Sequence, residues 1–232
     1  MTNKGENTVP LLEGRGLVKA YGRSEALRGA SVGLDAGEIL AVTGTSGSGK
    51  STLLHCLAGI VRPDDGFVTY GGERLDRLPE RRLSELRRTE FGVVFQFGQL
   101  IPELTALDNV ALPLLLAGTA RADAHARADE WLERFGVRGQ AGLRPGEMSG
   151  GQAQRTALAR ALITGPQAVF ADEPTGALDS LATEQVMTAL VHTARESGTA
   201  VLLVTHDAQV AAYADREVRM SDGAVAALGV TA

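Results

Sequence analysis

Residues 39–51 read ILAVTGTSGSGKS, and this stretch decides the fold. Its first part, Ile39 to Thr43, is a continuous apolar run with β-branched residues, which is typical of a buried strand. Its second part, Gly44 to Ser51, fits the phosphate-loop pattern G-x-x-x-x-G-K-[ST]. A helical pattern follows at Thr52 to Ala58. Because the motif lies between a strand and a helix, the stretch predicts a loop that binds nucleotide phosphates rather than a flexible Gly/Ser-rich loop.

The residue types in this loop suit a chain of phosphates. Its glycines permit backbone conformations in which successive N–H groups point at one phosphate, and the following helix adds its dipole. Lys50 is expected to reach the β- and γ-phosphates, and the Ser51 hydroxyl is expected to ligate Mg²⁺. The chain has only three lysines, at positions 4, 19 and 50, among 23 basic residues, so a lysine inside this loop indicates a need for a compact ammonium. The residues predicted to contact the nucleotide are Gly44, Thr45, Ser46, Gly47, Ser48, Gly49, Lys50, Ser51 and Thr52.

Three further apolar runs resemble the ILAVT strand and are separated from it by helical patterns. They are Gly92 to Phe95, Ala168 to Ala171 and Ala200 to Thr205. Since none of them alternates polar with apolar residues, the pattern predicts a parallel sheet that is covered on both faces. The predicted fold class is α/β.

Polar residues follow each of these runs directly. Gln96, the pair Asp172 and Glu173, and His206 stand where the strands end. Loops after strands are often polar, but ligands of open α/β sheets bind at the carboxyl ends of the strands, so we expect one shared site. Asp172 is placed to hold Mg²⁺, and Glu173 is placed to polarise an attacking water.

Segments outside the core strands complete the predicted organisation. Strand-like runs at Leu11 to Asp35 and Gly66 to Tyr70 predict a small antiparallel sheet at the N-terminal side. Residues from about 98 to 160 read as a helical insertion, in which Ala120 to Phe135 has helical spacing and Trp131 is a packing residue. Residues 1–10 are interpreted as a flexible tail before a single domain at 11–232.

Composition excludes several function classes. The 232 residues carry a formal net charge of −5, which argues against non-specific binding of nucleic acid. The single cysteine, Cys56, allows no internal disulfide. No apolar run approaches the ~20 residues of a membrane helix, and Met1 to Pro10 lack the apolar core of a secretory signal. We expect a cytosolic protein with no membrane span.

A phosphate loop alone does not separate kinases, GTPases, helicases and transporters. The segment Met148 to Gln152 reads MSGGQ and is followed by a helical run at Thr156 to Leu162. It resembles the signature sequence of ATP-binding cassette (ABC) ATPases and lies shortly before Asp172 and Glu173, as in that family. The chain also matches family motifs at Tyr21, Gln96, Leu178-Asp179 and His206, so the resemblance covers roughly residues 11–225.

The resemblance implies a RecA-like P-loop NTPase core and the cofactors ATP and Mg²⁺. It implies adenine stacking on Tyr21, metal ligation by Ser51, Gln96 and Asp172, and catalytic roles for Lys50, Gln96, Glu173 and His206. His206 would contact the γ-phosphate and orient the attacking water. The family forms a head-to-tail homodimer on ATP binding, in which the signature residues of one subunit close over ATP held by the other. Further nucleotide contacts implied in this way are Ser149, Gly150, Gly151, Gln152 and Asp179.

Two segments point to one branch of the family. Residues 100–118 read LIPELTALDNVALPLLLAG and residues 171–180 read ADEPTGALDS. They resemble lipoprotein-release ATPases, macrolide and antimicrobial-peptide exporters and a bacterial cell-division ATPase. That branch implies a cytoplasmic subunit, peripheral on the inner face of the cell membrane, which docks on a separate integral-membrane permease. An apolar patch at Phe97, Leu100, Ile101 and Leu104 could serve the docking, or could pack the helical insertion instead.

Two alternatives stay open. A cell-division-type ATPase, which controls a membrane partner without transport, shares every motif seen here. A soluble ABC ATPase of DNA repair or translation is disfavoured by the net charge, the single cassette and the lack of a long coiled coil. The transported substrate is not written in this chain, because the membrane partner contacts it.

Overall fold

Two β-sheets organise the chain in the computed structural model, which describes residues 10–96 and 99–226. The strands in chain order are β1 (Leu12–Tyr21), β2 (Ser24–Leu34), β3 (Ile39–Thr43), β4 (Asp65–Tyr70), β5 (Glu73–Arg74), β6 (Phe91–Val94), β7 (Ala168–Asp172), β8 (Ala200–Val204), β9 (Arg216–Ser221) and β10 (Ala224–Ala226). The helices are α1 (Lys50–Leu57), α2 (Glu80–Thr89), α3 (Ala106–Leu116), α4 (Arg121–Arg134), α5 (Gly150–Leu162), α6 (Ser180–Ser197) and α7 (Ala208–Ala211). None of the helices in these ranges is both long and apolar enough to cross a bilayer.

The larger sheet has the strand order β10-β9-β3-β8-β7-β6. Its five strands from β9 to β6 pair in parallel, and β10 joins the edge antiparallel to β9. Strands β7 and β8 are buried along their whole length. The four apolar runs of the sequence are thus the predicted parallel strands, and the predicted α/β fold is confirmed.

The larger sheet is covered on both faces, as a parallel sheet requires. Alternate residues of one strand belong to two different cores: Val201 and Leu203 of β8 pack on one side, and Leu202 and Val204 pack on the other. Helices α3 to α6 cover the first face, and α1 with the smaller sheet covers the second. This packing fixes the carboxyl ends of the strands relative to one another.

The smaller sheet is antiparallel and has the order β2-β1-β4-β5. It occupies the N-terminal side of the chain, as predicted from Leu11 to Asp35 and Gly66 to Tyr70. An aromatic chain joins the two sheets, because Phe91 of β6 packs edge-on against Tyr70 of β4 and Phe170 of β7, with ring centroids 4.9 and 5.2 Å apart.

Three helices lie in the segment interpreted as a helical insertion. Trp131 of α4 stacks on Phe135 at 6.1 Å, which agrees with a packing role. Helix α5 begins at Gly150, six residues earlier than the helical run seen in the sequence, and its residues join the core of the larger sheet. The proposed limits of the insertion and of the domain stay predictions, and the tail residues 1–9 lie outside the described ranges.

Candidate nucleotide-binding site

A cleft of about 830 Å³ lies where the parallel strands end. The residues that follow β3, β6, β7 and β8 meet there, so the expected convergence of polar residues is observed. The sequence-predicted residues that line the cleft are Gly44, Thr45, Ser46, Gly47, Gly49, Lys50, Ser51, Thr52, Gln96, Glu173 and His206.

Two glycines of the phosphate loop are required by close backbone contacts. A Cβ on Gly44, at φ 148°, would lie 2.3 Å from the Met220 carbonyl oxygen. A Cβ on Gly49, at φ 100°, would lie 2.2 Å from the Ala26 carbonyl oxygen. The loop is therefore held between β2 of the smaller sheet and the end of β9, and no larger residue fits at either position.

Helix α1 starts at Lys50, two residues before the predicted helical pattern, so its first turn lies directly at the loop. The side chain of Lys50 is only 7 % exposed. Its Nζ donates to the carbonyl oxygens of Gly44 and Thr45, at 2.9 Å in both cases. The ammonium is thus held across the loop, where the phosphates of a nucleotide would meet both it and the N-terminus of α1.

Ser51 and Asp172 come together although they are 121 residues apart. The Ser51 hydroxyl donates to Oδ1 of Asp172 at 3.1 Å. Burial raises the pKa of the Asp172 carboxyl, and the hydrogen bond from Ser51 opposes that rise. A hydroxyl and a buried carboxylate are the hard oxygen donors that Mg²⁺ prefers, so the residues present fit this ion.

Glu173 has a left-handed backbone, with φ 47°, directly before Pro174. Its N–H donates to the Val204 carbonyl oxygen at 2.9 Å, which ties this turn to β8. Its Oε1 lies 2.8 Å from Nδ1 of His206, and the Thr205 hydroxyl donates weakly to Oε2 at 3.5 Å. The carboxylate is mostly covered while the His206 ring is well exposed, so the pair spans from the cleft wall to its open side.

Gln96 is exposed at the end of β6 and lines the cleft. Its side-chain amide lies beside the turn that follows Glu173, because a Cβ on Gly176 would be 3.4 Å from Nε2 of Gln96. The glutamine, two residues after β6, therefore reaches the turn that follows β7.

The signature residues do not line the cleft of their own chain. Ser149 is the N-cap of α5: its hydroxyl accepts from the Gln152 N–H at 3.3 Å, and Oε1 of Gln152 accepts from the Ser149 N–H at 2.8 Å. A Cβ on Gly151 would lie 3.2 Å from Cβ of Ala182 in α6, whose N-cap is Asp179. Asp179 and the signature thus form a second cluster, separate from the phosphate loop.

Tyr21 also stays outside the cleft lining. It is the last residue of β1, it is 50 % exposed, and it pairs with Ser24 across the β1–β2 hairpin. Ala26, two residues further along β2, does line the cleft. Tyr21 is therefore at the tip of the hairpin whose second strand forms one cleft wall.

Glu217 and Arg219 line the cleft and were missed by sequence reasoning. Both lie on β9, and the Thr43 hydroxyl donates to Oε1 of Glu217 at 2.6 Å. The signal that could have found them is the alternation in REVRMS, which places Glu217 and Arg219 on the face opposite Val218 and Met220.

Comparison with known proteins fits this geometry. The family model described as ABC transporter matches residues 27–176, which include the phosphate loop, the signature and both carboxylates. The chain belongs to the ABC transporter family. It is an ATPase of that family and binds ATP.

Relatives confirm the resemblance to the lipoprotein-release and exporter branch. The lipoprotein-releasing system ATP-binding protein LolD of Geobacter metallireducens is 44 % identical to this ABC ATPase. The matched region covers 94 % of the present chain and 98 % of LolD. The pyoverdine export ATP-binding/permease protein PvdT of Pseudomonas syringae pv. tomato is 46 % identical, but the matched region is only 34 % of that protein. This chain therefore spans about a third of the PvdT length.

Solved structures confirm the fold. A dimeric bacterial ABC transporter cassette superposes with a TM-score of 0.88 at 37 % identity, covering 93 % of this chain and 97 % of its own. A dimeric ATP-binding cassette in a post-hydrolysis state, bound to ADP and Pi, gives a TM-score of 0.87 at 36 % identity with the same coverage.

Lys50→Ala is expected to abolish tight ATP binding, because it removes the ammonium that the loop holds for the phosphates. Lys50→Arg should fail too, since the larger planar guanidinium does not fit between the Gly44 and Thr45 carbonyls. Equilibrium titration with a fluorescent ATP analogue measures the affinity, and Arg134→Ala on the exposed side of α4 is the control. An unchanged affinity of Lys50→Ala would remove Lys50 from the site.

Proposed function

We propose that this ABC ATPase is the energy-coupling subunit of an exporter: two copies close head-to-tail around two Mg-ATP and drive a separate integral-membrane permease. The observation that carries the proposal is the separation of Ser149 to Gln152 from the cleft of the same chain. A γ-phosphate contact by these residues needs the cleft of another chain.

The N-terminus of α5 is suited to an incoming phosphate. The N–H of Gln152 is already bonded to Ser149, whereas Gly150 and Gly151 begin the helix and have no earlier turn to donate to. Their N–H groups and the helix dipole favour an anion. The signature of one subunit is proposed to supply these donors to the γ-phosphate that the other subunit holds.

Each residue of the cleft has a proposed task in hydrolysis. Lys50 binds the β- and γ-phosphates, and Ser51, Gln96 and Asp172 hold Mg²⁺, which neutralises phosphate charge. Glu173 accepts a proton from the attacking water, and His206 orients that water and contacts the γ-phosphate. The loop beside Asp179 completes the site from the partner subunit.

The nucleobase is proposed to stack on Tyr21. The ring lies at the tip of the β1–β2 hairpin and is half-exposed, and Ala26 of the same hairpin lines the cleft. A nucleotide with its phosphates at Lys50 would therefore extend its base past Ala26 toward Tyr21. The Tyr21 ring can stack on any flat aromatic base.

The permease is proposed to dock at the loop before α3. Ile101 is 37 % exposed there, and buried Asn109 fixes the loop: Oδ1 of Asn109 accepts from the Ile101 N–H at 2.8 Å, and Nδ2 donates to the Ile101 carbonyl at 3.0 Å. Leu100 instead packs against the core, so only part of the predicted patch is free. Phe97 lies outside the described residues.

The location and the cargo follow from this proposal. Docking on an integral-membrane permease places the chain at the inner face of the cell membrane, and the similarity to LolD and PvdT favours export of a lipophilic, peptide or antibiotic-like substrate. Transport assays with the co-purified permease in vesicles test this against a cell-division-type role, in which ATP turnover would proceed with no substrate movement.

Glu173→Gln is expected to lower ATP turnover by ~10²–10⁴-fold, because it removes the general base while keeping the size of the side chain. ATP that binds but is not cleaved should keep both composite sites closed. Size-exclusion chromatography with Mg-ATP should then show a dimer for this variant and mostly monomer for the parent, with Glu130→Gln on α4 as the control. A variant with normal turnover that stays monomeric would show that Glu173 is not the base.

Ser149→Arg is expected to leave ATP binding by the monomer nearly normal and to abolish both hydrolysis and ATP-dependent dimerisation. The arginine would occupy the space that the γ-phosphate of the facing subunit needs. Titration, turnover and chromatography are measured together with a melting curve, since the loss of the N-cap costs about 1 kcal/mol. Hydrolysis at the parental rate would rule out the composite site. The control is Ser84→Arg, at an exposed position of α2.

Ile101→Asp is expected to abolish co-purification with the permease while ATP binding survives, because it places a charge in an apolar contact. Ile60→Asp is a matched control, since Ile60 is exposed to a similar degree, 40 %, at another place in the chain. A melting curve separates lost docking from misfolding. Retained co-purification of Ile101→Asp would move the contact to another surface.

A further inference from the structure

Strand β1 loses one of its two neighbours, β4, just before it reaches Tyr21. Pairing between β1 and β4 ends at Val18 and Asp65, and the ladder with β2 has an irregularity between Lys19 and Ala20. The last residues of β1 keep their pairing with β2, up to Tyr21 and Ser24, but have no β4 partner on their other side. On the β4 side, the backbone hydrogen bonds at this end of the strand need a partner other than a strand.

Asp64 takes over the role of the missing strand. Its N–H donates to the Val18 carbonyl oxygen at 2.8 Å. Its Oδ2 accepts from the Ala20 N–H at 2.8 Å, and its Oδ1 accepts from Nζ of Lys19 at 2.7 Å. One residue thus binds three consecutive residues of β1, the last of them directly before Tyr21.

Lys19 reaches the Tyr21 ring as well as Asp64. Nζ of Lys19 lies over the Tyr21 ring, 5.8 Å from its centroid. This distance is within the range of a cation–π interaction. The Lys19 side chain is only 17 % exposed, and the hydrogen bonds from Lys19 and from the Ala20 N–H lower the pKa of Asp64. The Lys19 ammonium therefore contacts one face of the Tyr21 ring and restricts its orientation.

We infer that the pair Lys19 and Asp64 positions Tyr21, so that its ring is a fixed platform for the purine base of the bound nucleotide. Lys19 and Asp64 do not line the cleft and act through Tyr21, so they are positioning residues. The inference rests on the proposed function, in which Tyr21 stacks on adenine. It makes Lys19, one of the three lysines of the chain, a determinant of base recognition and leaves the phosphates to Lys50.

Two probes separate base recognition from phosphate binding. Calorimetric titration compares Mg-ATP with magnesium tripolyphosphate, which carries the phosphates but no base. Lys19→Met keeps the aliphatic stem and removes the charge, and it should weaken ATP binding about fivefold while the affinity for tripolyphosphate is unchanged. Lys19→Arg, which restores a cation beside the ring, should return ATP affinity to within about twofold of the parent. In turnover, Lys19→Met should raise KM for ATP and leave kcat nearly unchanged.

A matched ion pair provides the control. Arg74 of β5 pairs with Asp76 at 2.7 Å and lies 4.3 Å from the Phe67 ring centroid, in the same sheet but at its far edge. Arg74→Met should leave the affinity for ATP unchanged. Melting curves are measured for all variants to verify that each one is folded under the conditions of the titration.

A double-mutant cycle with Tyr21→Ala completes the test. In the Tyr21→Ala background, Lys19→Met should weaken ATP binding no further, because the platform is already lost. Equal losses of ATP and tripolyphosphate affinity, or effects of the two substitutions that add, would overturn the positioning role. If Tyr21→Ala alone leaves ATP affinity unchanged, the stacking part of the proposed function fails. If Tyr21→Ala weakens ATP binding and Lys19→Met does not, only the inference about Lys19 fails.

Discussion

The fit of the phosphate loop between two sheets is the constraint on which the rest of the site depends. Gly44 touches the end of β9 and Gly49 touches β2, each at a distance that leaves no space for a Cβ. The turn after β9 adds a hydrogen bond from the Gly223 N–H to the Ser48 carbonyl at 3.1 Å. Because both sheets grip the loop, its N–H groups and the start of α1 are oriented by the fold before any nucleotide arrives.

The residues proposed to bind the nucleotide lie in two separate places of the fold. Cleft residues come from strand ends that the buried core aligns, whereas the signature stands at the start of α5, beside the start of α6. Ser149 and Gln152 satisfy each other in a capping box, so the helix end is stable without a ligand while the N–H groups of Gly150 and Gly151 stay free of an intrahelical acceptor. In the proposed composite site, a second copy of the chain would bring these free N–H groups to the nucleotide.

Sequence patterns predicted the buried parts of the fold well, because a strand covered on both faces must be apolar throughout, as β7 and β8 are. They missed β9, in which exposed residues alternate with buried ones, and the edge strand β10, which has no buried residue. The start of α5 at Gly150 could have been predicted from the capping-box pattern, in which Ser149 is followed three residues later by Gln152. Motif order could not reveal that Tyr21 lies outside the cleft lining, since that depends on how distant segments pack.

The backbone at Glu173 shows how the fold places one carboxylate at a cost. A non-glycine residue at φ 47° is strained by about 1–3 kcal/mol, and a following proline restricts it further. The strain persists because the Glu173 N–H is bonded to Val204 of the buried strand β8, which anchors the turn from below. A relaxed backbone at Glu173 would move its side chain away from His206, whose Nδ1 lies 2.8 Å from Oε1 of Glu173. The position of the carboxylate is therefore set by the larger sheet, which also contacts the phosphate loop at Gly44 through β9.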